Sequence, residues 1–105
     1  MIEKLNSKSF LEHVNSEFKV QGPNAQTVSL RLTEVNERNT NPKVEQFSLF
    51  FQGPQTPLLE QRIYRLQHET LGDLDLFIVP VGMEPEGVLY ECVFNRFRKA
   101  DAPTS

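Results

Sequence analysis

The chain has 105 residues, 38% of them hydrophobic and 24% charged, with a formal net charge of -3. That length and balance suit one globular domain and leave no room for a second core, while the acidic excess argues against the basic footprint with which proteins neutralise nucleic-acid phosphates. A single cysteine, Cys92, excludes an internal disulfide framework and a multi-cysteine zinc site.

The opening segment, MIEKLNSKSFLEHV, lacks the apolar run of a signal peptide, and no apolar stretch reaches the ~20 residues that span a bilayer. A soluble cytoplasmic protein with no membrane partner, or one exported by a route that needs no cleaved signal, is the expectation. Within that segment the pattern is helical: Ser7 or Ser9 is placed to cap, Glu12 stands three residues after Ser9 as in a capping box, and Phe10, Leu11 and Val14 form an apolar stripe. The helix is too short to persist unaided and must dock on something.

From Glu17 onward the period changes from near 3.6 to 2. EFKVQGP predicts a first strand with Phe18 and Val20 on one face, ended by Gly22 and Pro23. TVSLRLTEV predicts a second, with Val28, Leu30 and Leu32 inward against Ser29, Arg31 and Thr33. A polar loop with its turn at Asn41 and Pro42 leads to VEQFSLFFQGP, whose inner face is Phe47, Leu49 and Phe51. Its other face carries Gln46, Ser48, Phe50 and Gln52, so Phe50 needs cover. The shared QGP that ends the first and third strands is turn chemistry: Gly lets the backbone leave the strand and Pro withdraws a ladder donor.

A proline-punctuated loop precedes RIYRLQH, the fourth strand, with Tyr64, Leu66 and His68 on one side and Ile63, Arg65 and Gln67 on the other. After a turn at Gly72 and Asp73 comes LDLFIVPVG, in which Leu74, Leu76 and Ile78 oppose Asp75, Phe77 and Val79, so that cover is expected on both faces of its second half. Pro80 marks an edge, a bulge or a bend. MEPEG is of hairpin length, and VLYECVFNRF supplies the last strand, with Val88, Tyr90, Cys92 and Phe94 on one face. The register that sets apolar against apolar places Ile78 beside Cys92 and Phe77 beside Val93.

Six strands with short connections predict a mainly β fold with one short N-terminal helix, a six-stranded, mostly antiparallel meander curled into a sheet or small barrel. Residues 1–98 form the domain and 99–105 a flexible tail. Arg96, Arg98 and Lys99 are a small basic cluster at its edge, read as a solvated terminus.

Few residues carry chemistry. His13 and His68 lack ligand spacing, Cys92 alternates in phase with core residues, and Asp73 with Asp75 reads as an exposed polar face rather than a calcium loop. Glu91, between Leu89 and Val93, is expected to pair with Arg31, Arg62 or Arg65. No phosphate loop or nucleophile elbow is present, so no catalytic, cofactor-binding or metal-binding residue is assigned.

FSLFFQGP, IYRLQHETLGDLDLFIVPVG and YECVFN, in this order, resemble a bacterial family of similar length catalogued as a domain of unknown function. The similarity runs from FLEHVNSEFKV to Asn95. Members of that family are often encoded near genes for phage-tail-collar-like proteins, and the resemblance implies a part in, or an accessory to, a tail-like assembly. It implies no catalytic positions.

Two functions from different classes follow. One is a non-enzymatic structural or interaction module that binds a protein partner or itself through Phe50 and Phe77 or through strand edges. The other is a small-ligand-binding or enzymatic barrel with a pocket near Tyr64, His68, Tyr90 and Glu91.

Overall fold

Each period-two stretch of the sequence becomes a strand in the computed structural model, which describes residues 6–38 and 44–97. The elements are α1 (Ser7–Leu11), β1 (Glu17–Gln21), β2 (Thr27–Glu37), β3 (Val44–Gly53), β4 (Arg62–His68), β5 (Gly72–Glu84) and β6 (Gly87–Phe97). The Asn41–Pro42 turn, Arg98 and Lys99 of the basic cluster and the expected tail lie outside the described residues.

All strand pairs are antiparallel, and the order β1-β2-β3-β6-β5-β4 closes into one ring-like sheet. It is not a regular barrel: β3 and β6 pair over ten residues, whereas β1 and β4 close the ring over two, Lys19 opposite Gln67 and Val20 opposite Leu66. This corrects the expected simple meander, in which β3 would adjoin β4. The loop over residues 54–61 carries the chain across one end of the ring instead, and β6 takes the place beside β3.

Alternation decides which side chains fill the ring. Phe18, Val20, Val28, Leu30, Leu32, Phe47, Leu49, Phe51, Leu66, Leu74, Leu76, Ile78, Val88 and Tyr90 are buried in one core. Burying each large apolar side chain contributes about 1.5–3 kcal/mol before entropy is subtracted. The two ends are closed by different devices.

At one end α1 lays Phe10 onto Phe47 and Phe94, with ring centroids 6.0 and 5.6 Å away, while Phe47 and Phe94 stack at 4.5 Å. The cap is Asn6, one residue before Ser7 and three before Ser9, and Glu12 takes no part in the box. Asn6 accepts from the Ser9 backbone N–H, and the Ser9 hydroxyl accepts from the Asn6 N–H, a reciprocal box that leaves Ser9 at the third helical position. Leu11 is exposed rather than part of the apolar stripe, because the five-residue helix turns only Phe10 inward.

At the other end Leu59, from the 54–61 loop, is fully buried, and its N–H donates to the Tyr90 hydroxyl at 2.9 Å. The two-residue turn between Glu84 and Gly87 sits beside it. Gly87 has φ +146°, and a Cβ there would collide with the Gly53 carbonyl oxygen, so the site admits only glycine.

Between β5 and β6 the pairs Val79↔Glu91 and Pro80↔Tyr90 are in phase with the expected register and not with its one-residue slip. Beyond Pro80 the register shifts, with Val81 as the extra residue of a bulge. Proline thus sits where the ladder is already interrupted. No helix among the described residues is long and apolar enough to cross a membrane.

Candidate functional site

The corner where β1 begins and β4 ends brings together groups that sequence reading left apart. His68 points inward, as its phase with Tyr64 and Leu66 requires, and is buried. Its Nδ1 accepts from the N–H groups of Thr70 and Leu71 at 3.0 and 3.1 Å, so the ring proton is on Nε2. Nε2–H donates to Ser16 Oγ at 2.9 Å, and that hydroxyl donates in turn to the His13 carbonyl.

This polarity is the reverse of a nucleophile–base pair, in which the imidazole must accept the serine proton. The corner is a structural clasp joining the end of α1, the start of β1 and the β4–β5 turn. His13 packs edge-on against His68 at 4.7 Å and Phe18 lies at 4.5 Å. Burial, then the neighbouring His13, hold the His68 pKa below its ordinary value, with Glu69 opposing. A surface cleft of about 490 Å³ opens beside it between Ser16, Glu17, Glu69 and Asp73. Among the described residues, no group of three or more His, Cys, Asp or Glu side chains is placed to hold a metal ion.

The residues proposed to line one pocket are not gathered into one. Tyr64 and Tyr90 share the interior near the Leu59 end, where the Tyr64 hydroxyl donates to the Glu60 carbonyl at 2.7 Å. His68 belongs to the opposite end, and Glu91 lies on the outward face between Leu89 and Val93. Burial pushes the Tyr90 phenol above its ordinary range.

Glu91 does not find its partner among the three arginines expected for it. Arg65 pairs with Asp75 at 2.9 Å, Arg31 donates to Gln52 at 2.7 Å, and Arg62 lies 5.7 Å over the Tyr64 ring. The carboxylate is only half-buried and so stays open to solvent. Cys92 is buried opposite Leu49, far along the chain from the clasp, and burial pushes its thiol up to about 12.

The outward face of β4, β5 and β6 is apolar at its centre. Ile63 is opposite Phe77, and the phase of Val79↔Glu91, continued two residues along both strands, sets Phe77 beside Val93. They are 67%, 46% and 62% exposed, so the cover expected over the second half of β5 is missing among the described residues. Phe50, beside Glu91, is half-buried. Around this row lie the Arg65–Asp75 ion pair, whose hydrogen bond holds the Asp75 carboxyl below its usual range, and Glu91. Val81 and Met83 extend the exposed apolar surface along β5.

Sequence reading missed Leu59 and the strength of the outward row. Leu59 has no periodic companion in its loop, whereas Ile63 and Val93 each stood in plain alternation and needed only the strand order to be seen as neighbours.

No curated protein and no solved structure is significantly similar to the chain. The model of a family described as Domain of unknown function (DUF6916) matches residues 5–94, which takes in the clasp, both end closures and the outward row, and the chain therefore belongs to that family.

Proposed function

We propose that the protein is a non-enzymatic interaction module that docks a partner protein on the outward face of β4, β5 and β6. The observation that carries this reading is the row Ile63, Phe77 and Val93, three exposed apolar side chains on adjacent strands with charged groups around them. Protein interfaces share that anatomy of an apolar centre and a polar rim, and aromatic anchors of this kind carry a large part of binding energy. The reversed polarity of the Ser16–His68 pair and the filled interior support a binding role over catalysis. The resemblance to proteins encoded beside tail-collar-like genes makes a component of a tail-like assembly the first partner to try.

The test is capture of host proteins on the immobilised chain, followed by reconstitution of the captured partner in purified form. Phe77→Ser and Val93→Glu are expected to weaken that complex by at least about tenfold, or 1.4 kcal/mol, with thermal unfolding of the free chain preserved. Binding that is indifferent to both substitutions overturns the reading.

A further inference from the structure

β1 is too short for the strand it closes against. Gly22 and Pro23 turn it away after Gln21, and the turn is fixed by the Gly22 N–H donating to the Gln26 carbonyl at 2.7 Å. A Cβ on Gly22 would come within 2.9 Å of Val28 Cγ2, so the chain is held tightly against β2 there. β4 pairs with β5 along its whole length, from Arg62 to His68, but with β1 only at Leu66 and Gln67. Among the described residues, no strand lies beside Arg62–Arg65 on the side away from β5. A strand edge left in this way offers backbone donors and acceptors to an incoming chain.

The space in line with β1 is a furrow. A cleft of about 340 Å³ lies between Val20, Gln21, Arg62 and Tyr64, and continues past Gly22 and Glu60 into a second of about 180 Å³. Val20 and the Tyr64 ring give it an apolar floor. Lys19, Arg62 and Arg65 border it, in a chain whose net charge is -3. Arg65 is neutralised by Asp75, which leaves Lys19 and Arg62 against the one carboxylate of Glu60, a net positive charge in the furrow.

We propose that this furrow accepts an acidic, extended peptide segment of a partner protein, which adds as a short strand along the free edge of β4. The incoming segment occupies the line that β1 would have followed had Gly22 and Pro23 not diverted it. Main-chain hydrogen bonds to β4 supply affinity, while alternate side chains supply specificity: an apolar residue over Tyr64 and, on the alternate face, carboxylates within reach of Lys19, with Arg62 adding positive charge at the far end of the furrow. Ile63 borders both the furrow and the outward row, so the segment would extend the docking face. This inference rests on the interaction-module reading and names a second contact for it.

The probe is a fluorescein-labelled heptapeptide of alternating glutamate and valine, followed by anisotropy on the full chain at low salt. It is expected to bind at least about tenfold more tightly than its lysine–valine counterpart, and to lose at least about tenfold on N-methylation of alternate amides. The double variant Lys19→Glu, Arg62→Glu should reverse the charge preference with its thermal unfolding intact. Failure of the glutamate peptide to saturate, equal binding of the lysine or N-methylated peptide, or an unaltered preference in the double variant would each overturn the proposal. So would sedimentation showing that a second copy of the chain fills the furrow. Phe77→Ser is expected to leave peptide binding unchanged; a captured partner that needs Phe77 and ignores the double variant defeats the furrow and spares the docking face.

Discussion

His68 Nε2 lies 2.9 Å from Ser16 Oγ and donates to it, because Nδ1 is already the acceptor of two backbone N–H groups. Protonating the folded chain would put a proton on Nδ1 against those donors. The pKa is lowered by burial and by His13, with Glu69 opposing and Glu17, Lys19 and Asp73 in the adjoining cleft. The unfolded chain takes up the proton freely near the ordinary value of about 6.5.

The sign follows from linkage. Above that value both states are neutral and the group has no effect; as pH falls through it the unfolded state binds more protons and folding stability declines, until the folded state also protonates. Urea unfolding between about pH 8 and pH 5 should show this decline, and His68→Gln should flatten it. An unaltered slope in the variant would exclude the clasp as its source.

Tyr90 and Leu59 form the closure of the opposite end. Tyr90→Phe leaves the buried Leu59 N–H without its acceptor and is expected to cost about 1–3 kcal/mol. Leu59→Ala removes the plug itself and should cost about 2–5 kcal/mol. Chemical denaturation of the two variants measures both; a cost under ~0.5 kcal/mol for each would show that the loop does not brace the ring.

Cys92 gives a direct probe of the interior. With its thiol pushed up to about 12, the nucleophilic thiolate is scarce at neutral pH. A disulfide reagent such as DTNB should modify the native chain on the order of a hundredfold more slowly than the chain in urea. Rapid native modification would place the side chain outside the core.

Ser48 faces outward on β3, yet it is buried, and its hydroxyl has no hydrogen-bond partner among the described residues. Replacing such a group by a methyl is neutral or favourable. Ser48→Ala should therefore change unfolding free energy by less than about 1 kcal/mol, on the stabilising side. A loss above ~2 kcal/mol would reveal a bond at that hydroxyl.

The legible part of this fold was its alternation. Val28, Leu30 and Leu32 were assigned inward by period alone, His68 was placed in phase with Tyr64 and Leu66, and the β5–β6 register followed from matching apolar faces. Strand order was not legible, because the 54–61 loop reads as turn chemistry whether it joins neighbours or crosses an end. The cap fell on Asn6 rather than a serine because Asn and Ser both suit that position and only the backbone distinguishes them. The candidate site was half visible: Phe77 was singled out, but Ile63 and Val93 became its companions only when β4, β5 and β6 were laid side by side.

The unequal ladders of the ring also make it a mechanical object. Ten residue pairs bind β3 to β6 as a spine, while two pairs hold β1 to β4 on the far side. Thermal opening therefore concentrates at the weak side, with the spine acting as a hinge between a three-stranded leaf, β1 to β3, and a second leaf, β4 to β6. The amide hydrogens of residues 19, 20, 66 and 67 that donate across the β1–β4 seam should exchange well before those that donate across the β3–β6 seam, so that the molecule breathes along the line its shortest strand leaves incomplete.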